Sequence, residues 1–156
     1  MINTIKNINT TGYWPVEAKV FCNLFQKDID IISQCEDSQY IQACADYLNS
    51  LDDKLIDNLC LACIRYCNAY LNFMEKKPIE FPSNREVLKM IYPSSLMIDE
   101  SNESNEPLIH MELNCDWEIE HGMEWIIRGD KILYVGEFVS FDPWDDFSIK
   151  ESGNYA

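Results

Sequence analysis

The side chains of this chain best suited to chemistry lie close together in sequence. His110, Cys115 and His121 could ligate a metal ion. Asp116, Glu118, Glu120 and Glu124 could supply a carboxylate pair for acid–base hydrolysis. They belong to a run, Ile98 to Ile127, with nine carboxylates, both histidines, two tryptophans, one cysteine and no Lys or Arg. Such a run is either a reaction centre or a face that meets a basic partner. The metal reading is weakened by spacing: no compact zinc pattern is present, and Cys60-Leu-Ala-Cys63 lies within an expected helix with no second pair. Alternation along a strand would also send His110 and Cys115 to opposite sides. In the bland alternative Cys115 is core, His110 is surface and His121 shapes the turn before Gly122. Carboxylate runs on hairpins are more often solvated faces than hydrolytic centres. No local signature marks a Cys–His nucleophile pair. The five glycines form no phosphate-binding loop.

Composition narrows the partners. Net charge is −15 and the pI is about 4.3, which disfavours nucleic acid and anionic membranes and favours a cationic protein. Aromatic anchors among acids suit such a partner. The expected contact residues are Asp116, Glu118, Glu120, Asp142, Trp144, Asp145 and Asp146, whereas Trp117 and Trp125 read as core. The seven cysteines, the polar Met1–Thr11 segment and the lack of a long apolar stretch lead us to expect a reduced, cytoplasmic protein.

These residues need a scaffold. The length of 156 residues suits one domain, residues 1–156. Residues 14–32 are rich in β-branched and aromatic residues and read as a strand pair broken at Asn23. Tyr40, Cys44, Tyr47, Leu48 and Leu51 predict a helix over 38–50, capped by Asp37 or Ser38. A second begins after Asp52 or Asp53 and runs to about Met74, where Pro78 prevents its return. A short helix is expected over Arg85–Ile91, then a polar loop from Ser94 to Pro107. Leu108–Trp117, Met123–Arg128 and Lys131–Glu137 read as strands turned at Gly122 and Gly129-Asp130. On the first of these, Ile109, Met111, Leu113, Cys115 and Trp117 face the core, while His110, Glu112, Asn114 and Asp116 face water. The expected class is α+β: a short N-terminal β region and a helical hairpin packed on an antiparallel meander.

Glu112-Leu113-x-Cys115-x-Trp117-x-x-Glu120-His121-Gly122-Met123, followed by Trp125, a basic-Gly turn and Val135-Gly136, resembles the core of a small bacterial domain family of unknown function. Gly12-Tyr13-Trp14 resembles that family's opening strand. Related domains occur among immunity proteins of polymorphic toxin and contact-dependent growth inhibition systems. The resemblance implies an antitoxin-like inhibitor without catalysis of its own and does not identify the toxin. With the net charge of −15 it leads us to expect a cognate, basic toxin, a nuclease, as partner, and no cofactor. The alternatives are a small metal-binding or hydrolytic enzyme around Cys115, His110 and His121, or a standalone interaction module. Oligomeric state is open.

Overall fold

The computed structural model describes residues 4–100 and 104–156. Seven strands form one sheet in sequence order. They are β1 (Lys6–Asn9), β2 (Val16–Cys22), β3 (Lys27–Ser33), β4 (Ile91–Ile98), β5 (Leu108–Cys115), β6 (Glu118–Arg128) and β7 (Lys131–Glu137). Every neighbouring pair is antiparallel except β3 and β4, which are parallel. A parallel pair needs a long crossover. Helices α1 (Ser38–Asn49) and α2 (Asp53–Phe73) supply it, with a 3-10 turn over Asn84–Met90. The class is therefore α+β, with the N-terminal strands and the meander merged into one sheet.

Capping explains where the helices start. The Asp37 carboxylate accepts the Gln39 and Tyr40 amides, and Asp52 accepts that of Leu55. The buried stripe of α2, Leu59, Cys60, Cys63, Tyr66, Cys67 and Leu71, faces the sheet. It meets Ile109, Met111, Leu113, Met123 and Trp125 there. Tyr47 ties α1 to the β6–β7 turn: its hydroxyl donates to Asp130 Oδ1 at 3.1 Å and accepts the Asp130 amide at 2.9 Å. That turn has positive φ at both Gly129 and Asp130, as a two-residue hairpin of type I′ requires.

Three expectations are corrected. Ser94–Ile98, read as the start of a polar loop, belongs to strand β4. Its apolar end, Leu96-Met97-Ile98, pairs with β3, and Pro93 is tolerated where the register shifts against β5. The remainder of the Ser94–Pro107 reading falls partly outside the described residues. Gly12-Tyr13-Trp14 is a bend between β1 and β2, not a strand. Gly122 lies inside β6, and the β5–β6 turn is Asp116-Trp117.

The largest departure concerns the second face of the sheet. Over β5–β7 it is covered rather than wet. The C-terminal segment folds back, and Phe141, Trp144 and Phe147 pack on Leu108, Ile126 and Tyr134. Tyr155 then runs along the β7 edge, its amide donating to the Val135 carbonyl at 2.8 Å. No described helix is long and apolar enough to cross a membrane.

Candidate partner-binding surface

Glu112 and Glu124 are cross-strand partners, so His110, two residues from Glu112, is a diagonal neighbour of Glu124 on the same face. The strand register thus delivers a charged network. His110 Nε2 donates to Glu124 Oε2 at 2.6 Å, and Nδ1 donates to Asp99 Oδ2 at 2.9 Å. His110 is 2% exposed and Glu124 0%. The expectation that His110 faces water is therefore corrected, and the covering C-terminal segment is the reason. That segment also uses the network: the amides of Val139, Ser140 and Phe141 donate to the Glu124 carboxylate at 3.0, 3.1 and 3.1 Å. Burial works against charge on His110, but the hydrogen bonds and charges of Asp99 and Glu124 outweigh it and raise its pKa to about 9. A buried anion held by four donors and a buried cation held by two carboxylates make a lock, with both ring nitrogens committed.

Glu118 is a second inward carboxylate, which corrects its placement as an outward contact. Its Oε2 accepts the amides of His121 at 2.7 Å and Gly122 at 2.9 Å. This closes the irregularity between Leu113 and Cys115, where β6 carries extra residues. Burial acts to raise the Glu118 carboxyl, but these amides and the His121 ring hold it below its ordinary range. Gly122 takes φ +76° there, and a Cβ would lie 2.5 Å from the Leu113 carbonyl oxygen. The His121 side chain is exposed, with Nδ1 3.2 Å from Glu118 Oε1 and 3.0 Å from Glu137 Oε1. The hydrogen bond to Glu118, then the charge of Glu137, raise its pKa.

The other expected contact residues divide into two groups. Asp116 and Glu120 are exposed at the β5–β6 end, Asp116 accepting the Tyr92 hydroxyl at 3.2 Å. Asp142, Asp145 and Asp146 are exposed on the C-terminal segment, where Asp142 and Asp146 also accept the amides of Trp144 and Ser148. Trp144 is half-buried and used within the molecule. Its indole N–H donates to the Glu100 carbonyl at 3.1 Å, and the Arg128 guanidinium lies 5.6 Å from its ring centre. Between the two groups stands Glu137, exposed at the end of β7.

Beside Glu118, Glu120, His121 and Glu137 lies a groove of about 420 Å³, walled by Tyr66, Tyr70 and Phe73 of α2 and by Tyr155. Sequence reasoning missed it, because α2 and Tyr155 reach the hairpin only through the fold. The 3.6-residue spacing of Tyr66, Tyr70 and Phe73 marks one helix side, yet nothing in the sequence says what faces it.

Cys115, His110 and His121 are not brought together. Cys115 packs in the helix-side core, its thiol pushed up to about 12 by burial, while His110 belongs to the network on the other face. Among the described residues the grouping with metal-ligand geometry is Glu118, Glu120 and His121, whose ligand atoms lie within 4.8 Å of one another. All seven thiols are unpaired.

With the register, the bulge at Gly122 and the covering segment in place, the comparison with known families covers nearly all of this architecture. The family described as Domain of unknown function (DUF6985) matches residues 4–141. The chain belongs to that family. The match spans β1 through Phe141 and so includes the Asp99–His110–Glu124 network and the three amides that bind it. No curated protein and no solved structure gives a significant match.

Proposed function

We propose that this DUF6985 protein is a cytoplasmic immunity protein. It binds a cognate basic toxin, of the nuclease class, and occludes its active site or substrate groove without catalysis of its own. The observation that carries this reading is the distribution of charge. Residues 98–156 hold 15 carboxylates against three basic side chains. Among the described residues, every bridge from Lys or Arg to a carboxylate lies before Met90. From Asp99 onward the side-chain salt bridges of the described residues involve histidine, with Arg128 acting on Asp146 through its charge. The exposed acids Asp116, Glu120, Asp142, Asp145 and Asp146 thus keep their charge available for an outside cation. Such a surface resembles the polyanionic substrate of a nuclease and would steer a basic cleft toward it over about 8 Å at physiological salt. The resemblance to immunity-protein domains supports the same reading. Co-expression with the toxin encoded beside this gene tests it: cells survive with this protein and die with an empty vector. Equal death in both overturns the proposal.

A further inference from the structure

We infer that the groove between the C-terminal half of α2 and the start of β6 receives one basic side chain, an arginine above all, from a protein partner. This deepens the immunity reading and rests on it for the partner's nature. The chemistry is that of a cation receptor. Tyr66 and Tyr155 stack with ring centres 5.3 Å apart, and Phe73 is 79% exposed where α2 ends. Aromatic faces attract a guanidinium and cover the methylene stem behind it. Arg65 fixes Tyr155 in place, its Nε and Nη2 donating to the Tyr155 carbonyl at 3.0 and 2.8 Å.

The rim is anionic. Glu120 is exposed and acts on the His121 ring through its charge, and the Glu137 carboxylate pairs with the same ring. The C-terminal half of helix α2 flanks the groove and carries no basic residue in its last turn. Among the described residues no Lys or Arg lines the groove. An anionic ligand would be repelled, and a neutral one would strip water from carboxylates without replacing it. A metal ion on Glu118, Glu120 and His121 would compete with the His121 ring for Glu118 Oε1 and draw that ring away from Glu137, since Glu118 Oε2 is already taken by two amides. An organic cation disturbs none of these, because Glu120 and Glu137 are exposed and Tyr70, Phe73 and Tyr155 line the groove beside them, while Tyr66 is buried behind Tyr155. Planar guanidinium fits a carboxylate rim and an aromatic wall better than ammonium does.

An acetylated, amidated tetra-arginine peptide titrated into ¹⁵N-labelled protein tests the receptor. The amides of His121, Gly122, Gly153 and Tyr155 are expected to shift together. Phe73→Ala and Glu120→Gln, both surface changes that leave the fold intact, each weaken binding about fivefold or more. Glu36→Gln, an exposed acid elsewhere, leaves it unchanged within about twofold. Shifts spread over the whole acidic surface, with Glu36→Gln as damaging as Glu120→Gln, overturn the receptor. So does zinc that shifts the same amides and excludes the peptide. Toxin neutralisation separates the two proposals. If the peptide binds here but no toxin is neutralised, the immunity reading falls and the receptor stands. If Phe73→Ala and Glu120→Gln neutralise as well as wild type while peptide binding is lost, the receptor falls as a partner contact and the immunity reading stands.

Discussion

Replacing His110 by glutamine is the sharpest probe of the lock that closes the second face. In the folded protein the imidazole sits between Asp99 and Glu124 and holds its second proton up to about pH 9, against an ordinary value of 6.5. A group with a higher folded than unfolded pKa binds its proton more tightly when folded. Its contribution is therefore complete below about pH 6.5 and is lost as pH rises through about 9. That gap corresponds to about 3 kcal/mol. Glutamine reaches the same carboxylates but cannot titrate. The cost of His110→Gln, from urea unfolding followed by tryptophan fluorescence, is then expected to be about 3 kcal/mol larger at pH 6 than at pH 9.5. His121 titrates in both proteins and cancels in the difference. The His110 ring protons should also titrate near pH 9 in NMR spectra. A cost independent of pH, or one that grows with pH, would refute the charged-imidazole account and leave only neutral hydrogen bonds.

Other residues give independent checks. Gly122→Ala places a Cβ 2.5 Å from the Leu113 carbonyl oxygen at φ +76°, and should lower stability by about 3 kcal/mol in the same unfolding assay. Phe141→Ala removes a ring packed edge-on at 4.8 Å from Tyr134, and should cost about 2 kcal/mol while speeding hydrogen exchange at the Val139, Ser140 and Phe141 amides. Native protein should expose one thiol, Cys35, to Ellman's reagent, and all seven in denaturant. The others are buried, and burial lifts Cys60 and Cys67 to about 11.

Local signals in the sequence carried well where one element decides the outcome. Asp37 and Asp52 announce their helices because a cap acts within three residues. Ile109, Met111, Leu113 and Cys115 announce their face because alternation is a property of one strand. Trp117 and Trp125 are buried as their apolar neighbours suggest, at 7% and 0% exposure. The failures come where a distant segment changes the solvent. The alternation that put His110 in water was correct about the face and wrong about the water, since residues 138–147 cover it. The spacing of Phe141, Trp144 and Phe147 in a polar tail was the available clue that this segment packs on something. Glu118 looked like one more surface acid, yet the extra residues around Gly122 leave two amides without strand partners, and its carboxylate takes them. β4 was hidden by Pro93, which reads as a breaker until a shift in register accommodates it.

The proposed function requires that this acidic surface bind a basic toxin. The most direct measurement is the association of the purified protein with the catalytic domain of the toxin encoded beside it, followed by stopped-flow fluorescence at low and high salt. A one-to-one complex that abolishes toxin activity is expected, with an association rate that falls at least about tenfold between roughly 25 and 500 mM salt. Absence of a complex at micromolar concentration, or an association rate indifferent to salt, would contradict the proposed function.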